Sequence, residues 1–151
     1  MNFREKREKK AFLALADGSV FYGYSVGAPT DALGEAVFNT EMIGYQEILS
    51  DPAYTGKLVL MTAPEMGCHG ISGVDKIPIA GCIVREISEP SNWSSEESLG
   101  AALVRSNVPA IAGVDTRALT ILLREKGNQK AFLCTSGKIN PKDAVEKASK
   151  A

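Results

Sequence analysis

Histidine and tryptophan each occur once in the 151 residues, as His69 and Trp93, and the three cysteines, Cys68, Cys82 and Cys134, stand far apart. A lone imidazole excludes a multi-histidine metal centre, and an odd number of widely spaced thiols fits neither a disulfide framework nor a zinc knuckle. No metal site is expected. Charge of one sign is missing too: 17 basic against 18 acidic side chains leave a net charge of -1, which gives no broad electrostatic reason to bind nucleic acid or anionic lipid. No apolar run approaches the ~20 residues that span a bilayer. The charged start, Met1 to Lys10, leads into no secretory apolar core. A cytoplasmic protein with neither nucleic-acid nor membrane partners is therefore expected. Internal repeats and low-complexity tracts are absent, and the glycines from Gly70 to Gly73 lack the lysine and hydroxyl residue of a P-loop.

What is present suffices for one domain with a core, since 44% of the residues are hydrophobic. Residues 1–10 mix charges of both signs and read as a solvated arm, or alternatively as a basic partner-binding arm. Residues 11–151 form the domain. From Ala11 an apolar run leads to Asp17-Gly18 and a second run, Ser19 to Tyr24. This is a strong hairpin signal, with a type I′ turn expected. The stretch Gly27 to Leu33, which contains Pro29 and precedes Gly34, reads as a loop.

Residues 34–54 carry the densest signal. Ala36, Val37 and Phe38 read as a buried strand, and Asn39 and Thr40 are placed to cap a helical turn. Met42, Tyr45, Ile48 and Leu49 share the face of that turn, which Asp51-Pro52 ends. Two further strands are expected at Lys57–Thr62 and Ile79–Val84. Ser94 and Glu97 fit a capping box for a helix running to about Arg105, which buries Leu99, Ala102 and Leu103 and has Asn107 as its C-terminal cap. A short strand over Val108–Asp115 follows, with Asp115 capping a helix over Thr116–Lys126 and Gly127 just beyond it. Ala131–Thr135 reads as a last strand, and Asn140-Pro141 begins a terminal helix through Lys150. About six strands and three or four helices make the chain α/β or α+β.

Several of these blocks resemble one known family. Gly34-Glu35-Ala36-Val37-Phe38-Asn39-Thr40, Gly44-Tyr45-Gln46-Glu47 and Asp51-Pro52-Ala53-Tyr54 form one group. Val84-Arg85-Glu86, Ser91-Asn92-Trp93, Asp115-Thr116-Arg117 and Arg124-Glu125-Lys126-Gly127 continue the match. The chain, from about Ala11 to Lys150, is similar to the amino-terminal domain of the carbamoyl-phosphate synthase small, glutamine-hydrolysing subunit. The resemblance implies a three-layer β/β/α domain of the swivelling type. In that family a class I glutaminase domain with the cysteine nucleophile, its histidine and a glutamate follows, and these 151 residues do not contain it. The resemblance therefore implies a catalytically silent scaffold that docks the glutaminase domain of the full-length chain and the large synthetase subunit. There, glutamine, bicarbonate and ATP yield carbamoyl phosphate for arginine and pyrimidine synthesis. The domain itself is expected to bind no cofactor, with ATP and Mg or Mn ions residing on the large subunit.

Site residues follow from the resemblance position by position. Ala53 stands where many relatives carry a serine that approaches glutamine, so the hydroxyl contact is replaced by backbone or shape contact, or Ala53 is simply a small turn residue. Tyr45, Gln46 and Arg117 are interface candidates, although Arg117 reads more simply as a solvated or ion-paired helix residue. Trp93 reads as a core or interface anchor. Cys68 departs from the family's asparagine in the loop Glu65 to Gly70. Two rival readings stand beside the scaffold. One is a free-standing protein interaction module reusing the fold. The other is a small cysteine hydrolase using Cys68 and His69, against which stands the tendency of adjacent side chains to point apart.

Overall fold

In the computed structural model, which describes residues 10–39, 52–61, 77–85 and 99–151, period-two alternation sorts the apolar residues into an inside and an outside. The strands are β1 (Lys10–Leu15), β2 (Val20–Ser25), β3 (Ala32–Asn39), β4 (Leu58–Met61), β5 (Gly81–Ile83), β6 (Ala110–Ala112) and β7 (Gln129–Cys134). They close into a barrel in the order β1-β2-β6-β5-β4-β3-β7. Neighbours from β3 through β4 and β5 to β6 are parallel, whereas β2 and β7 run antiparallel to their partners. The described fold is thus a mixed α/β arrangement around a seven-stranded sheet.

Ala11, Leu13 and Leu15 of β1 share one buried cluster with Leu58 and Leu60 of β4, Ile83, Ile111, Ala131 and Leu133. This set lines the barrel interior. The intervening residues face outward and are covered by helices. Val59 and Met61 pack with Ala102 and Leu103 of α1 (Leu99–Arg105), and Phe12 and Ala14 pack with Ala144 of α3 (Pro141–Lys150). Burial on both faces explains why β1 and β4 read as unbroken apolar runs. Each fully buried leucine contributes roughly 1.5–3 kcal/mol.

The third helix, α2 (Thr116–Lys126), sends Leu119 and Leu123 into the interior cluster, so it closes one barrel end. Its N-cap is Asp115, whose Oδ1 accepts from the Ala118 N–H at 3.0 Å. Its last turn reaches the β1–β2 hairpin, where Lys126 Nζ lies 3.2 Å from Asp17 Oδ2. Asn140 Oδ1 accepts from the Asp143 N–H at 2.8 Å and Pro141 opens α3, as the sequence predicts. At the end of α1, Asn107 has φ 57, and the N–H groups of Asn107 and Val108 donate to the carbonyls of Val104 and Leu103. That pair of bonds is a Schellman cap.

Four expectations are corrected. The hairpin turn is not type I′, which needs positive φ at both central residues. Only Gly18 has it, at φ 100, while its N–H donates to the Leu15 carbonyl and the Leu15 N–H to Ser19, giving a three-residue loop, Ala16 to Gly18. Ala32 and Leu33, read as loop, already belong to β3, because they pair with Leu133 and Phe132 of β7. Gly34 is a site of close approach rather than a break, since a Cβ there would lie 2.5 Å from the Gly56 carbonyl oxygen. The strands expected over Ile79–Val84 and Val108–Asp115 shorten to Gly81–Ile83 and Ala110–Ala112. Their flanks still donate across the gap, as Val84 N–H does to the Ile111 carbonyl. Asn39 ends β3, whereas Thr40, the turn through Leu49 and the capping box at Ser94 lie outside the described residues.

The entry of β3 is clamped to the exit of β7 by one carboxylate. Asp31 accepts from the N–H groups of Thr135 (2.9 Å) and Ser136 (3.0 Å) and from Ser136 Oγ (2.7 Å). Partial burial works against its charged form, but the hydrogen bonds from Ser136 and Thr135 outweigh that and hold the carboxyl below its ordinary value of 3.8. A carboxyl depressed on folding contributes stability that is present above 3.8 and disappears as pH falls through the folded value. Asp31→Asn is therefore expected to lower the denaturation midpoint at neutral pH, with the gap to wild type narrowing once pH drops below about 4. Urea melts at several pH values check this, and a gap that stays constant into acid refutes it.

Candidate functional site at the helix-capped barrel end

Because β3, β4, β5 and β6 are parallel, their C-terminal ends face one way, and the described chain leaves Asn39, Met61 and Arg85 there. The same end carries the start of α2. Two segments far apart in sequence meet: the Gly113 N–H donates to the Arg85 carbonyl at 2.8 Å, so the Val84-Arg85 block abuts Gly113-Val114-Asp115-Thr116-Arg117. Together with Tyr24 of β2 they line an open groove of about 590 Å³.

The side chains in the groove are exposed Arg85 and Arg117, half-buried Tyr24, and buried Thr116. Neither guanidinium forms an ion pair with a carboxylate among the described residues. The groove's own carboxylate, Asp115, is engaged in capping α2. Gly113 sets the shape of the groove. Its φ is 81, and a Cβ built on it would lie 2.7 Å from Cε1 of Tyr24, so both conformation and space demand glycine.

The sequence-derived site residues are not gathered in one place. Arg117 sits in the first turn of α2, at this groove. Ala53 is exposed in the 3-10 turn Pro52–Tyr54 that leads into the start of β4, at the other end of the parallel strands. Tyr45, Gln46, Cys68 and His69 lie outside the described residues. Tyr24 was not singled out from sequence, where it reads only as a strand aromatic. Arg85 was noted in the Val-Arg-Glu block, and its partnership with Arg117 becomes visible only in the fold.

The two described thiols are sealed. Cys82 packs between β4 and α1, and burial pushes its thiol up to about 12. Cys134 is buried beneath α3 and its Sγ lies 3.8 Å from the Ile139 carbonyl oxygen. The chain is thus a helix-capped α/β barrel that displays arginines at one end and keeps these two thiols buried beneath its helices.

The sequence pattern of the family described as "Carbamoyl-phosphate synthase small chain, CPSase domain" matches residues 13–133. The carbamoyl phosphate synthase small chain of Thermotoga maritima is 50% identical over 132 residues, covering 84% of this chain and 34% of that one. Its counterpart in Aquifex aeolicus is 46% identical over 145 residues, covering 93% of this chain and 39% of that one. In Photorhabdus laumondii the small chain is 45% identical over 145 residues, covering 93% and 38%. Among solved structures, an aminopeptidase from Aneurinibacillus sp. strain AM-1 superposes with a TM-score of 0.49 at 17% identity over 84% of this chain and 30% of that one, a likeness too slight to carry an argument. The chain belongs to the carbamoyl-phosphate synthase small-chain family. It spans a little over a third of the length of these relatives.

Two outcomes test this geometry. Gly113→Ala is expected to destabilise the fold by about 1–3 kcal/mol, through the left-handed backbone and overlap with Tyr24, measured as a shift in urea midpoint. A midpoint equal to wild type would remove the argument for the groove's fixed shape. Cys82 is expected to resist a thiol reagent in the native chain at pH 8 and to react fully in denaturant. Native labelling of Cys82, located by peptide mapping, contradicts its burial.

Proposed function

We propose that this chain is the amino-terminal, non-catalytic domain of the small subunit of glutamine-dependent carbamoyl-phosphate synthase, a cytoplasmic enzyme. The observation that carries this reading is the family match over residues 13–133, which begins inside β1 and ends inside β7 and so coincides with the closed barrel. In this reading the barrel is a three-layer β/β/α domain of the swivelling type. It holds the glutaminase domain of the full-length chain and docks on the large subunit, where ammonia from glutamine, bicarbonate and ATP become carbamoyl phosphate for arginine and pyrimidine synthesis. ATP and Mg or Mn ions bind the large subunit, and no cofactor binds here.

The chemistry supports silence on the part of these residues. Amide hydrolysis needs a thiolate, a base and an oxyanion hole. Cys82, raised to about 12 by burial, has almost no thiolate at neutral pH. The Ala53 end of the barrel then faces the glutaminase domain, where backbone or shape contact replaces the serine hydroxyl of other members. The interface assignments of Tyr45, Gln46 and Arg117 belong to the same reading.

The purified chain is expected to release no ammonia from glutamine above a heat-treated control. Sustained turnover by the chain alone, abolished by Cys68→Ala, would overturn the scaffold reading in favour of a cysteine hydrolase.

A further inference from the structure

We infer that the groove at the start of α2 binds a phosphate group, held by Arg85, Arg117 and the Thr116 hydroxyl. The site asks for the room of a single oxyanion, and its donors all belong to described residues. Arg85 lies two residues past β5 and Arg117 stands in the first turn of α2. The bond from the Gly113 N–H to the Arg85 carbonyl, at 2.8 Å, ties the two segments together. Both arginines are exposed, and neither guanidinium has a carboxylate partner among the described residues.

The buried hydroxyl points to a ligand where charge alone would not. Thr116 is only 6% exposed and lines the groove. Its main-chain carbonyl accepts from Thr120 Oγ1 at 2.7 Å, but its own Oγ1 makes no hydrogen bond among the described residues. No side-chain oxygen wholly removed from solvent lacks a partner among those residues. The Thr116 hydroxyl therefore reaches solvent, and the groove is where Thr116 meets it. A nearly sealed hydroxyl left unpaired costs stability unless a water or a ligand oxygen meets it.

The main chain adds two donors. Asp115 Oδ1 accepts from the Ala118 N–H and the Asp115 carbonyl from the Leu119 N–H. That leaves the Thr116 and Arg117 N–H groups, at the positive end of α2, without a partner among the described residues. Asp115 is the one carboxylate lining the groove among the described residues, and two guanidiniums outweigh it. Two planar forks, a hydroxyl and two N–H groups exceed what a flat carboxylate accepts, whereas the three free oxygens of a phosphate group accommodate them. Tyr24 walls the groove so closely that a Cβ on Gly113 would lie 2.7 Å from its ring. Free phosphate and the phosphate end of a small metabolite share this chemistry.

The test titrates the purified chain with inorganic phosphate at neutral pH and constant ionic strength, read by amide NMR. Wild type is expected to bind with a Kd of about 1 mM or below, with the Thr116 and Arg117 amide signals shifting most. R85Q/R117Q is expected to raise Kd about tenfold or more, and T116V about fivefold. T116S is expected to keep the wild-type affinity, as is K142Q/K147Q on α3, and all four variants to melt near wild type. Glycerol 3-phosphate binding more tightly than inorganic phosphate assigns the site to a phosphorylated metabolite, and equal binding assigns it to phosphate itself. The absence of a saturable shift at Thr116 and Arg117 overturns the proposal. So does a Kd within about twofold of wild type in either R85Q/R117Q or T116V. A loss in K142Q/K147Q as large as that in R85Q/R117Q reduces the binding to an adventitious ion and overturns it as well. The scaffold reading stands in each case.

Discussion

Everything in this fold depends on β7 pairing on both of its edges. Leu133 stands opposite Leu13 of β1 and opposite Ala32 of β3, so a single strand joins what would otherwise be two open sheet edges. Closure leaves no described strand as a free template for aggregation and turns the alternate residues of every strand inward together. The register is strongly specified, because a slip of one residue on β7 would exchange Leu133 for Phe132 and place the interior set under α3. The Asp31 clamp sits where β3 enters and β7 leaves, the point at which such a slip would begin.

Closure also determines what the surface offers. Among the described residues the interior is filled by side chains and sealed by α2, which leaves the ends and flanks of the barrel as its surfaces. The run of parallel strands from β3 to β6 gives the barrel two distinct ends. One end carries the turn with Ala53, and the other carries Arg85, Gly113 and Arg117. Both ends are held in place by the same core.

The elements legible in the sequence are those with local causes. The extents of α2 and α3 were readable because Asp115 and Asn140 accept from N–H groups three residues on, a geometry that needs nothing outside the segment. Asn107 at the end of α1 is of the same kind. The elements misread are those whose cause lies elsewhere in the chain. Ala32 and Leu33 are strand because of β7, a hundred residues away, and Gly34 is required by the Gly56 carbonyl rather than by a turn. The hairpin was located correctly at Asp17-Gly18, but its turn type was not, because Asp17 is held in an ordinary conformation in which its carboxylate accepts from the Ser19 N–H and meets Lys126.

By itself the sequence determined the class of the protein, the family resemblance, the helix limits and which residues are apolar, since these rest on side-chain chemistry and contacts between near neighbours. Only the tertiary structure decided that the sheet closes, which apolar residues lie inside the barrel and which beneath a helix, and that Arg85 and Arg117 share a groove while Ala53 is remote from it. Those outcomes are set by strand pairings between residues tens of positions apart. No local spacing encodes such a pairing, because its free energy is realised only when both strands and the core between them are in place.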